Sequence, residues 1–250
     1  MTPYYQDASV TIYHGEALSV LCELPSNSVD VLMTDPPYSS GGMLRGDRLQ
    51  DVHTKYVQTG SESGGNLQAF SGDSRDQMGW LFWCGAWLHG SQRVIVDGGI
   101  AAFFCDWRQL PVATMGLQSG GYVWRGIVPW YKPSARPTQG RWANKCEYVV
   151  WGTNGPRELT GRGFPGFYSF NVPSGTAREH ITQKPIELMQ GMLEIVPPGG
   201  TVLDPFMGSG TTILAAKNVG ARAIGCEVSE HFCEIAARRC SQETLDLGAS

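Results

Sequence analysis

The sequence carries 7 cysteines but no Cys-x-x-Cys pair and no Cys/His cluster with zinc-ligand spacing. That excludes a zinc knuckle, and an odd cysteine count without paired spacing argues against a disulfide framework. With no leader-like apolar start, the reading is a reduced, cytoplasmic protein. No apolar run approaches the roughly 20 residues of a membrane span, so no membrane partner is expected. Charge is also scarce, 17% of residues with a net charge of −4, which excludes a generally basic nucleic-acid coat protein but leaves room for a local basic groove. Internal repeats and low-complexity tracts are missing, which excludes solenoids and long disordered linkers. The glycine-rich turn at 204–212 lacks the Gly-Lys-Ser/Thr of a P-loop and the third glycine of a dinucleotide fingerprint.

What is present suits a compact α/β protein. The 250 residues are 42% apolar, enough for one sizeable core, and 32 glycines with 15 prolines imply many loops without disorder. Residues 9–13 read as a strand, 17–24 as a helix with Leu18, Leu21 and Cys22 inward, and 30–34 as a second strand. A long helical pattern covers 76–96 with Met78, Leu81, Phe82, Gly85, Ala86, Leu88 and His89, thickened by Trp80, Trp83 and Trp87, whose rings read as core. Gly98-Gly99 is expected to turn the chain into a strand at 100–105, followed by a helix at 109–118. Strands at 122–131 and 146–151 read as an antiparallel pair at a sheet edge. Pro185 fits the first position of a helix over 186–196. A strand at 201–204, a helix to Val219 closed by Gly220, a strand at 221–226 and a helix from Ser229 to about Cys240 complete the chain, with a frayed tail after Gln242.

Two stretches carry chemistry. The first is Thr34-Asp35-Pro36-Pro37-Tyr38 at the end of an apolar strand. Two prolines fix φ and remove two backbone donors, so the chain leaves the strand stiff and extended. One carboxylate, one carbonyl and one aromatic face are held together, an arrangement that suits a planar group bearing an amine. The second is Asp204-Pro205-Phe206-Met207-Gly208-Ser209-Gly210-Thr211-Thr212. Its glycines allow close backbone approach and the following helix offers free N–H groups. Glu227 ends the next strand, where an acid can hold both hydroxyls of a ribose. A ribose joined to an amino-acid carboxylate is S-adenosylmethionine (SAM), the expected cofactor; no metal is expected.

The order of these motifs, with Thr182-Gln183-Lys184-Pro185 between them, resembles the β-class of amino DNA methyltransferases, which act on N6 of adenine or N4 of cytosine. The compact bacterial or phage members of that family are the nearest comparison, and the similarity runs from about His14 to Arg239. The resemblance implies a Rossmann-like methyltransferase sheet, mostly parallel with an antiparallel edge hairpin and circularly permuted so that the catalytic half comes first. It also implies a single domain over 1–250 with mobile or substrate-binding insertions at about 39–75 and 132–180.

By the same resemblance Asp35 and the Pro36 carbonyl hold the target amine, with Pro37 and Tyr38 completing the catalytic motif and Tyr38 stacking on a flipped base. Asp35 also borders the cofactor, which Asp204, Phe206, Gly208, Ser209, Gly210 and Thr211 line. Glu227 takes its ribose, Thr182 and Lys184 lie by its amino-acid end, and Glu16 stands where the family often has Asp. DNA is the implied partner, and many relatives form homodimers.

Residues 131–182 hold seven cations against three carboxylates on an otherwise acidic chain. Together with neighbouring aromatics they suit phosphate contact and base stacking. Lys132, Arg136, Arg141, Lys145 and Arg162, with Arg45 and Arg48 of the earlier insertion, are the candidate DNA contacts. Asp at position 35 leans towards adenine N6, with cytosine N4 as the alternative. A related claw, usually with Asn, serves protein-amide methylation, but without this motif order. A non-catalytic SAM or nucleic-acid binding module is the reading from another class, and RNA is a substrate compatible with the same residues.

Overall fold

A computed structural model describes residues 1–38, 75–135, 139–140, 142–172 and 184–246, with 243–246 described by backbone alone. Among the described residues, nine strands form one sheet: β1 (Tyr5–Gln6), β2 (Val10–His14), β3 (Val29–Thr34), β4 (Ile95–Cys105), β5 (Val123–Tyr131), β6 (Cys146–Thr153), β7 (Tyr168–Ser169), β8 (Thr201–Asp204) and β9 (Arg222–Glu227). The helices are α1 (Ala17–Glu23), α2 (Gln77–Gln92), α3 (Leu110–Ser119), α4 (Ile186–Leu193), α5 (Thr211–Asn218) and α6 (Glu230–Asp246). The strand order is β1-β2-β9-β8-β3-β4-β6-β5-β7. From β2 to β4 the neighbours run parallel, whereas β6 is antiparallel to both β4 and β5. The Rossmann-like sheet is therefore mostly parallel with an antiparallel hairpin. Its late strands β8 and β9 insert between the early strands β3 and β2, as a permuted order requires.

Parallel strands covered on both faces are nearly all apolar. In β4, Ile100 to Cys105 are buried without a break, and Phe103 and Phe104 join Trp80, Trp87 and Trp130 among the largest enclosed side chains. Full burial of each such group contributes about 1.5–3 kcal/mol.

Several sequence expectations are corrected. Gly98 and Gly99 do not turn a helix into a strand; α2 stops at Gln92 and β4 already runs from Ile95. The glycines absorb a register shift between the Val29–Ile95 and Val31–Ile100 pairs. Asn154 pins that irregularity, its carbonyl accepting from Gly98 N and its N–H donating to Gly99 O. On α2 the buried stripe is Trp80, Cys84, Trp87, Leu88 and Ser91, so Trp80 and Trp87 are core, Trp83 is half-buried against it, and Met78 and Phe82 are exposed. Cys22 is exposed too, because Ala17, Val20 and Leu21 form the inner face of α1. Pro185 is the N-cap of α4 rather than its first residue, and that helix ends at Leu193. Helix α6 continues past Gln242 to Asp246. The hairpin is not the outermost element, since β6 lies inside against β4 and the short β7 lies outside β5.

Candidate active site

Five adjacent parallel strands end on one edge of the sheet, and each delivers a carboxylate there. Glu16 follows β2, Glu227 closes β9, Asp204 closes β8, Asp35 follows β3 and Asp106 follows β4. Strand carboxyl ends are where open α/β sheets bind ligands. Carboxylates gathered at such an edge suit a ligand rich in donors or positive charge.

The claw lies at the centre of the edge. Its backbone is tied from two helices: Trp80 Nε1 of α2 donates to the Pro37 carbonyl at 2.8 Å, and Gln109 Nε2 at the start of α3 donates to the Tyr38 carbonyl at 3.2 Å. The Pro37 tie falls one residue beyond the carbonyl expected to hold the amine. Tyr38 is buried, 7% exposed, and its hydroxyl donates to Glu147 Oε2 at 3.1 Å.

Lys184, just before α4, reaches into the same place. Its ammonium is 2.5 Å from Asp35 Oδ2 and 3.3 Å from Glu147 Oε2, and 5.0 and 5.6 Å from the ring centroids of Phe104 and Tyr38. Lys132 Nζ meets the other Glu147 oxygen at 2.8 Å. Two carboxylates and two ammonium groups thus form one compact array. Burial works against the charge on Lys184, but Asp35 and Glu147 outweigh it and hold the ammonium above the ordinary lysine range. Burial likewise works against Glu147, and Lys184 and Lys132 bring its carboxyl down to about 2. For Tyr38, burial and the facing carboxylates push the phenol well above its usual value.

The glycine-rich turn joins β8 to α5. Asp204 is enclosed and accepts from Thr34 Oγ1 at 2.5 Å and from Phe206 N at 3.0 Å, which couples the turn to the residue before Asp35. Burial raises the Asp204 carboxyl to about 6 even though Thr212 and Thr34 donate to it. Phe206 packs on Trp83 and Trp87 with ring centroids 5.0 and 5.3 Å away. Glu227 accepts from Gly208 N at 3.1 Å and Ser229 N at 2.9 Å, and burial raises its carboxyl despite those donors. Gly210 is left-handed at φ 82°, and a Cβ there would lie 2.7 Å from Ala236 Cβ. At Gly208, with φ 51°, a Cβ would meet nothing within 4 Å, so the turn presents open space at that point.

The structure gathers most of the residues singled out from the sequence along this edge, in altered roles for some. Glu16 caps α1 by accepting from Ser19 N at 3.1 Å. Ser209 and Thr211 turn towards α6, where Arg239 Nη1 donates to the Ser209 carbonyl at 2.7 Å and lies 3.3 Å from both hydroxyls. Lys132 is not a surface cation, because the Glu147 pair draws its ammonium inward. Lys145 Nζ donates to the Pro133 carbonyl, and Arg162 pairs with Glu194 at 2.7 Å and lies over Phe164. Thr182, Arg45, Arg48, Arg136 and Arg141 lie outside the described residues, as does all of the 39–75 insertion except Arg75. Glu147 and Arg239 were missed by sequence reasoning. The available signal for Glu147 was a lone carboxylate at the head of an apolar strand.

The profile of a family described as DNA methylase matches residues 29–171 and 164–238. The type II methyltransferase M.ScaI of Streptomyces caespitosus is 24% identical over 290 residues, spanning 98% of this chain and 86% of its own length. A crystal structure of an M1.HpyAVI–SAM complex has a TM-score of 0.66 at 23% identity, covering 92% of this chain and 98% of that one. The cytosine-N4-specific PvuII DNA methyltransferase has a TM-score of 0.71 at 16% identity, covering 95% of this chain and 88% of its own. At these identities the structural likeness speaks for the fold.

Proposed function

Because the chain belongs to the DNA methylase family of N6 and N4 methyltransferases, it is a SAM-dependent DNA methyltransferase, and we propose that its target is the N6 amine of adenine. The single observation that carries the reading is the position of Asp35. Its carboxylate leaves β3 directly beside β8, and the Thr34–Asp204 hydrogen bond joins the claw to the glycine-rich turn.

The residues present fit the cofactor. The open space at Gly208 is a cradle that a side chain would fill, Glu227 stands at the end of β9 for two ribose hydroxyls, and the acidic edge suits a sulfonium cation. Phe206, Gly208, Ser209, Gly210 and Thr211 would line it, with Glu16 and Asp204 on either side and Thr182 and Lys184 by its amino-acid end. Bound there, the cofactor supplies an electrophilic methyl group.

The protein's own residues do the rest by placement. A base must leave the stack to bring its amine to this edge. Asp35 and the Pro36 carbonyl would each accept one N–H, drawing the conjugated nitrogen towards a tetrahedral shape and freeing its lone pair. As positive charge develops on nitrogen, the Asp35 carboxylate binds it more strongly than in the ground state, which is where rate acceleration comes from. Tyr38 offers its ring as the wall of the pocket, and the segments at about 39–75 and 132–180 would contact the DNA, with Lys145 and Arg162 among the cations.

Cytosine N4 is the second reading, supported by the fold shared with the cytosine-specific PvuII enzyme. Asp35→Ala tests the catalytic role against that of a non-catalytic binding module. Turnover on DNA is expected to fall by about 10²–10³-fold or more with SAM binding retained. Equal turnover in both proteins would remove Asp35 from the chemistry, and no turnover in either would support the module.

A further inference from the structure

Glu147 is a largely enclosed carboxylate at this edge that the proposed chemistry does not use. Glu147, from the antiparallel hairpin, stands opposite Trp130 in the β5–β6 pairing. Its carboxylate receives Lys132 Nζ at 2.8 Å, Lys184 Nζ at 3.3 Å and the Tyr38 hydroxyl at 3.1 Å. Lys184 is in turn 2.5 Å from Asp35. Glu147 therefore touches two of the claw's fixed points, one through a hydroxyl and one through an ammonium. The side chains of Lys184 and Glu147 are only 6% and 16% exposed, so water screens the array weakly.

We propose that Glu147 is a positioning residue for methyl transfer, holding the Lys184 ammonium between two carboxylates so that Asp35 keeps negative charge for the substrate amine. The inference rests on the methyltransferase reading of Asp35. A lysine given wholly to Asp35 would cancel the charge that stabilises a nitrogen turning positive. Glu147 shares that lysine, and Lys132 balances Glu147 from the far side, so the four groups are neutral together. The same carboxylate fixes the Tyr38 hydroxyl, which sets the plane of the ring beside the amine's acceptors. Such an arrangement acts on the transition state more than on binding, because the charge it serves develops only during transfer.

Glu147→Gln isolates the charge, since the amide keeps the volume and an oxygen for the Tyr38 hydroxyl. The expected result, in steady-state methylation of DNA, is a kcat lower by on the order of 10²-fold with KM for DNA and for SAM unchanged. The variant also strands a buried ammonium, so thermal melting is measured beside it. The double variant Glu147→Gln/Lys132→Met removes that stranded charge and is expected to recover Tm but not kcat. Recovery of kcat in step with Tm would make Glu147 merely structural and overturn the proposal, as would a wild-type kcat in the single variant. A wild-type chain that methylates no DNA would overturn this inference together with the reading beneath it. Methylation by the wild type with kcat unchanged in Glu147→Gln would overturn the role of Glu147 alone.

Discussion

Lys184 and Asp35, 149 positions apart, meet at 2.5 Å between the start of α4 and the end of β3. Removing one member of a buried pair leaves the other uncompensated and typically costs about 3–5 kcal/mol. Lys184→Met would leave Asp35 and Glu147 close together with Lys132 as the remaining ammonium described in the array. A loss of stability in that range is expected in urea titration, together with a fall in methylation. A Lys184→Met protein as stable and active as wild type would show that the pair is incidental.

The glycine-rich turn separates two kinds of glycine. Gly210→Ala meets both a left-handed backbone and the Ala236 methyl group, so a destabilisation of about 2–4 kcal/mol is expected. Gly208→Ala carries the backbone strain alone, about 1–2 kcal/mol, because its Cβ points into open space. That space is the proposed cofactor cradle, so the milder Gly208 variant is the one expected to weaken SAM binding more than its stability loss explains. Paired denaturation and isothermal titration of the two proteins check the contrast.

Glu227 is expected to contribute to SAM affinity directly. Glu227→Ala removes hydrogen bonds to a charged acceptor, worth about 1.5–3 kcal/mol, and so weakens Kd by roughly 10- to 150-fold. It also frees Gly208 N and Ser229 N from their present acceptor. An unchanged Kd would assign Glu227 to the turn alone.

Asp204 makes stability depend on pH in a defined direction. Its folded carboxyl titrates near 6 against an ordinary value of 3.8, so between those values the folded chain keeps a proton that the unfolded chain has lost. Stability from this group therefore falls as pH rises from about 4 to about 6, by about 2–3 kcal/mol, and the deficit persists above that window. Asp204→Asn cannot ionise, so the stability of wild type relative to this variant is expected to decline across the window and then level off. A constant difference from pH 4 to pH 7 would contradict the raised value.

Much of this edge was legible in the sequence because its key residues sit at strand ends, where an apolar run stops and a proline or glycine motif begins. Asp35, Asp204 and Glu227 were found that way, and the mostly parallel sheet followed from the family resemblance that the order of their motifs carries. The Lys184–Asp35 contact was not legible, since proximity to the cofactor's amino-acid end was all the resemblance implied. Glu147 was hidden for a different reason. Its neighbours Lys132 and Tyr38 come from just after β5 and from the claw, and the hairpin register, with Trp130 opposite Glu147, helps bring them together. Counted along the chain, Lys132 and Glu147 were two charges in a basic segment; folded, they neutralise each other beneath the surface. On α2, apolar side chains lie on nearly every side, so periodicity did not single out the Trp80–Cys84–Trp87 stripe from exposed Met78 and Phe82.

The most direct test is methyl transfer from labelled SAM to unmethylated DNA, followed by digestion to nucleosides and mass spectrometry. The expected product is N6-methyl-deoxyadenosine, absent when Asp35 is replaced by Ala. N4-methyl-deoxycytidine would keep the fold and the claw but overturn the adenine assignment, and no methylated base in DNA, with SAM still bound, would contradict the proposed chemistry itself.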